Sequence, residues 1–115
     1  QQLQLTRPQM EIIQKDGRWE VSALVGSMNG RGQKTQQEIV LKDQVEAQLL
    51  GRQAAHLSAE ELHYFPATEE VESPGKIVIH QQQNVTRAGR MQANLKTGKL
   101  RLSQGVESQY VVPAS

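Results

Sequence analysis

At 115 residues, with 13 Lys and Arg against 12 Asp and Glu, the chain is one domain in size and carries a net charge of +1 spread along its length, which excludes the concentrated basic face of a nucleic-acid binder. It has no cysteine and only one Trp, two Tyr and one Phe, so thiolate metal sites, thiol nucleophiles, disulfides and base-stacking platforms are all excluded. Aliphatic residues come in short runs such as Ile39-Val40-Leu41, far below the ~20 apolar residues of a membrane-spanning helix.

Gln1 is preceded by neither an initiator Met nor a signal peptide, so a longer product with any anchor upstream is expected. The first clear element comes after the turn signal Asp16-Gly17, where Trp19, Val21, Ala23 and Val25 alternate with polar residues. Period two is the mark of a half-buried strand. Next comes Ile39 to Leu49, with Ile39 and Val45 six positions apart and Val45, Ala47 and Leu49 alternating. The same six-residue spacing returns in Val71 and Ile77, and again in Leu100 and Val106. These copies recur at a period of about 30 residues, as repeats of one supersecondary unit do.

Between the first and second copies, Gln44 to Phe65 is rich in Ala, Leu, Gln and Glu, and Ser58-Ala59-Glu60-Glu61 matches a helix capping box. Local propensity favours helix there. Gly51, the alternation of Val45, Ala47 and Leu49, and the repeat register favour two strands joined near Gly51 and Arg52, which is the expectation adopted. Pro74-Gly75 before Ile77 and Ile79 signals a hairpin turn, as does Thr97-Gly98 between Met91, Ala93, Leu95 and Leu100, Leu102. The whole reads as one all-β domain over residues 1–115, a succession of antiparallel hairpins forming a sandwich, barrel or jelly roll.

Little in the sequence suggests chemistry. His56, His63 and His80 have no ligand-like spacing and are expected to face solvent, with no metal site. The doublets Glu60-Glu61 and Glu69-Glu70 cannot each act as a glycosidase pair, because adjacent strand residues point to opposite faces. No enzymatic activity and no cofactor are expected. Arg87, Arg90, Lys96, Lys99 and Arg101 cluster late in the chain, where they either meet phosphates or simply cover solvated faces.

The ordered set Trp19-Glu20-Val21-Ser22-Ala23, Ile39 to Val45, Leu57 to Pro66, Val71 to Pro74, and Gly89-Arg90-Met91 through Leu100-Arg101-Leu102 to Val106 and Tyr110 resembles the LptC family of lipopolysaccharide-export proteins. It departs from the family pattern at Ser58, where Thr is usual, and in having only Gly89 of a Gly-x-Gly-Met motif. The family's membrane helix and first periplasmic strands are expected to lie outside this stretch. The resemblance implies an open antiparallel β-jelly roll in the periplasm, anchored to the inner membrane in the full-length protein. It implies lipopolysaccharide received from an inner-membrane ABC transporter and passed to an LptA-like periplasmic bridge protein through an apolar groove. An LptA-like soluble bridge and a purely structural β module remain the alternatives.

The candidate lining comprises Trp19, Val21, Ala23 and Val25; Ile39, Leu41 and Val45; Leu62 and Tyr64; Ile77 and Ile79; Met91, Ala93 and Leu95; and Leu100, Leu102, Val106 and Tyr110. Each is either lipid contact or plain core. A final strand of about Gly105 to Val112, including Val106, Ser108 and Tyr110, is the expected docking edge for the bridge protein through β-augmentation. Bare edges would also let two copies pair as a homodimer.

Overall fold

The computed structural model describes residues 2–14, 17–29, 37–51 and 54–110; of the turn and edge residues named above, Asp16, Arg52 and Val112 lie outside them. In chain order the strands are β1 (Gln2–Thr6), β2 (Gln9–Gln14), β3 (Gly17–Ser22), β4 (Val25–Asn29), β5 (Glu38–Gly51) and β6 (Ala55–Phe65). They continue as β7 (Glu70–Ser73), β8 (Ile77–Gln81), β9 (Asn84–Ala88), β10 (Arg90–Asn94), β11 (Lys99–Ser103) and β12 (Glu107–Tyr110). All pairings are antiparallel, and together they form one 12-stranded open sheet, as the all-β jelly-roll reading requires.

The helix-like stretch is a long hairpin. β5 runs against β6 from Ile39 opposite Tyr64 to Leu49 opposite Ala55. Val45, Ala47, Leu57 and Ala59 are buried while Glu46 and Gln48 are exposed, so burial follows period two and overrides helix propensity.

Each of the other strands belongs to one of two half-sheets. The first runs β1-β4-β5-β6-β7-β10-β11; the remaining pairings give the second, β2-β3-β5-β6-β8-β9-β12. β5 and β6 serve both, since β4 pairs with residues 38–42 of β5 and β3 with 46–51. Likewise β7 pairs with 63–65 of β6 and β8 with 56–59. The sheet therefore folds along a crease through Arg7-Pro8, Ala23-Leu24, Asp43-Gln44, Glu60, Pro74-Gly75, Gly89 and Gln104-Gly105. The six-residue spacing of the repeats spans this crease. Pro74-Gly75 is accordingly not a hairpin turn: β7 and β8 do not pair with each other but lie end to end along β6. Thr97-Gly98 does turn a hairpin, β10 to β11.

Local backbone chemistry makes the crease. Arg7, Asp43, Gln44 and Gln104 all have positive φ, and the β5–β6 register shifts between Lys42 and Val45. Such bulges bend a strand and re-aim the side chains beyond them. Two glycines allow the close approach: a Cβ on Gly26 would lie 2.8 Å from Cγ of Pro8, and one on Gly89 would lie 2.8 Å from the Gln104 carbonyl oxygen. Backbone donors then tie neighbouring bends together, Leu24 N–H to the Asp43 carbonyl at 3.0 Å and Gly89 N–H to the Gln104 carbonyl at 2.7 Å.

The bend also breaks the alternation. Ala23 and Gly26 are buried while Leu24 and Val25 between them are exposed, so the period-two run ends at Ala23. Val25, at 46% exposure, and Val106, at 48%, do not take the interior places expected of them. Val106 sits in the bend before β12, which starts at Glu107 rather than Gly105. Packing is tightest beside the crease, where Leu41, Val45, Ile77 and Ser73 are less than 2% exposed. Ser73 stays satisfied there by donating to the Gly75 carbonyl at 3.3 Å.

Candidate functional site

The two half-sheets face each other across a single hydrophobic cluster to which both contribute, Val21, Val45, Leu57 and Ile77 from one and Leu41, Leu62, Val71 and Met91 from the other. Away from the crease the walls part. One inner row runs Val21, Ala47, Leu57, Ile79 across β3, β5, β6 and β8. The facing row runs Ile39, Tyr64, Val71, Ala93, Leu100 across β5, β6, β7, β10 and β11.

Between these rows lies a cleft of about 650 Å³, within the ~300–1,000 Å³ range of small-molecule sites. Ile12, Trp19, Val21, Ala47, Leu49, Ala55, Leu57 and Ile79 form one wall; Leu62, Val71, Met91, Ala93, Leu95 and Leu100 form the other. The hollow at Gln9, Glu11, Glu20, Glu46, Gln48 and His56 is by contrast polar. Exposure rises along the cleft, from 2% at Met91 beside the crease to 54% at Leu100 near the β10–β11 turn. The interior is closed at the fold line and wet at its far end.

Of the residues expected to line a groove, Trp19, Val21, Leu62, Ile79, Met91, Ala93, Leu95 and Leu100 do so. Ala23, Leu41, Val45 and Ile77 are buried core, with Ile39, Tyr64 and Leu102 packed against it. Tyr110 is placed by its backbone opposite Asn84 in the β9–β12 pair, and Ser108 opposite Thr86. Sequence reasoning missed Ile12, Ala47, Leu49, Ala55, Leu57 and Val71 as cleft residues. The alternation of Val45, Ala47 and Leu49 carried the signal for two of them.

The late cations separate by position. Arg90 lies 3.7 Å from Glu72, to which Gln92 also donates at 2.9 Å. Arg87 stands opposite Glu107 and Arg101 opposite Gln92. Lys96 and Lys99 border the open end of the cleft.

His63 corrects the expectation of solvent-facing histidines. Its side chain is only 23% exposed, with Nδ1 2.6 Å from a Glu38 oxygen and Nε2 2.5 Å from a Glu61 oxygen. Burial pulls its pKa down, but the two hydrogen bonds and the two carboxylate charges outweigh that and hold it above the ordinary value. His56 and His80 face each other across β6 and β8, ring centroids 6.4 Å apart. Among the described residues no group of three or more His, Asp or Glu is arranged to hold a metal ion.

The margins of the folded sheet are β1 and β2 on one side and β11 and β12 on the other. The family model for lipopolysaccharide assembly, LptC-related, matches residues 1–111. No curated protein matches the chain at a significant level.

Proposed function

The chain belongs to the LptC-related family, and from that premise we propose that it receives lipopolysaccharide from an inner-membrane ABC transporter and passes it to an LptA-like periplasmic bridge protein by way of the cleft. Membership makes it a lipopolysaccharide-transport protein and not an enzyme. Proteins of the family are periplasmic components anchored to the inner membrane, and the same placement is proposed for this chain within its full-length product. The observation that carries the reading is an apolar cleft with walls from both half-sheets and one open end.

The physics of such a cleft suits a carrier. Each methylene taken out of water gains roughly 0.8 kcal/mol, so several acyl chains are held strongly against loss to solvent. Transfer to a second cleft of similar lining is close to isoenergetic, because the area exposed on leaving one is covered on entering the next. Directionality then comes from the transporter.

Trp19, Val21, Leu62, Ile79, Met91, Ala93, Leu95 and Leu100 are the proposed acyl contacts. The proposed docking strand is β12 with the bend before it, Gly105 and Val106 through Ser108 and Tyr110. It adds to a partner's sheet through main-chain hydrogen bonds.

The test places a photo-crosslinking side chain at Leu57, Leu95 and Leu100 in the cleft, and at Val78 and Arg101 on the opposite faces as controls. Lipopolysaccharide adducts at the first three alone support the carrier reading. Adducts at none of them, or equally at the controls, reject it.

A further inference from the structure

Lys96 and Lys99 border the cleft at its open end, on the turn that joins β10 to β11. We infer that this turn is the headgroup-recognition element of the cleft, its two ammonium groups binding the phosphates of a phosphorylated glycolipid whose acyl chains lie between the walls. The inference rests on the carrier reading above and adds which part of the cargo is read, and by what.

Charge complementarity selects the occupant. Among the described residues no Asp or Glu lines this cleft, and its only charged lining residues are those two lysines. An apolar trough ending in paired cations matches an amphiphile with an anionic head. A neutral or cationic head leaves the two charges unpartnered. The other late cations are engaged or placed elsewhere, Arg90 beside Glu72 and Arg87 opposite Glu107.

The turn is also built to hold still. Asn94 Oδ1 accepts from the backbone N–H groups of Lys96 at 3.0 Å and Thr97 at 3.1 Å, and the Asn94 carbonyl accepts from Gly98 N–H at 2.8 Å. Gly98 has a φ of +75°, which lets the chain reverse without strain. Lys99 N–H reaches Thr97 Oγ1 at 3.4 Å. With the turn's backbone donors occupied internally, the lysine ammoniums are the groups left to meet an anion. A fixed backbone beneath two flexible stems leaves less to be ordered on binding.

Trp19 is the only tryptophan and lines the same cleft, so its fluorescence reports occupancy directly. The intact chain is titrated with bisphosphorylated lipid A in detergent micelles, and with the same lipid after enzymatic removal of both phosphates. The inference expects tighter binding of the phosphorylated form by about tenfold or more, an advantage that shrinks as salt rises. In the double variant Lys96→Ala, Lys99→Ala that advantage disappears, and in Lys96→Arg, Lys99→Arg it returns. Thermal melts of each variant check that the fold is kept, and the Arg variant serves if the Ala variant fails to fold.

Equal affinity for the two lipids in the unaltered chain overturns the inference and leaves the carrier reading standing. A phosphate preference that survives in the Ala variant also overturns it. Failure of the unaltered chain to bind either lipid overturns both.

Discussion

Leu41 and Leu100 lie on the same inner face of one half-sheet, at opposite ends of its depth. Leu41 is 1% exposed beside the crease and Leu100 is 54% exposed at the open end. Truncating each to Ala therefore measures the shape of the interior. Full burial of a Leu side chain is worth ~1.5–3 kcal/mol, and a cavity left in tight packing adds to the loss, so Leu41→Ala is expected to cost about 3 kcal/mol. Leu100 has less than half of its surface out of water and leaves no closed cavity when shortened, so Leu100→Ala is expected to cost under ~1 kcal/mol. Urea unfolding followed by Trp19 fluorescence gives both values, with the midpoints compared at a common slope. Equal costs for the two truncations would refute the reasoning, because they would mean a uniformly packed interior with no open end.

Three further outcomes rest on particular residues. The folded pKa of His63 is raised above the ordinary value of 6.5, so the stability it adds is full below that value and is lost as pH rises through the folded pKa. The urea-midpoint gap between the parent and His63→Gln should thus be widest below pH 6.5 and narrow as pH rises through the folded pKa above it, and a constant gap would assign His63 to packing alone. Gly89→Ala should lose roughly 1–3 kcal/mol, because the new methyl meets the Gln104 carbonyl, and a thermal melt reads this as a lower midpoint. Gln44→Gly should gain up to ~1 kcal/mol by relieving a residue held at φ 53°, and a lowered melting temperature would argue against strain there.

The strands and their inward faces were legible because burial on this sheet follows period two almost everywhere between bends. Val45, Ala47 and Leu49 announced β5 strongly enough to outweigh the helix-favouring composition around them. What the alternation does not encode is where its phase resets. Val25 continues the run Trp19, Val21, Ala23 by spacing alone, yet the bend at Ala23-Leu24 turns it outward. Pro74-Gly75 has hairpin chemistry, but a Pro-Gly pair serves a bend within one long strand path as well as a reversal between two. The half-buried, doubly hydrogen-bonded setting of His63 depends on Glu38, 25 positions away, which becomes its neighbour only through the β5–β6 register. The cleft itself was half readable: its apolar rows follow from the sequence, whereas its open end depends on how far the half-sheets diverge.

Because the fold line cuts across the strands and not between them, every other pairing ladder lies within one half-sheet, and the β5–β6 ladder that serves both is interrupted by its bulge at the line itself. Spreading the walls therefore flexes backbone at a row of bends already shaped for it, while the ladders on either side travel as intact plates. On the proposed carrier reading, cargoes of differing girth are accommodated by bending along that line, without unzipping a single strand pair.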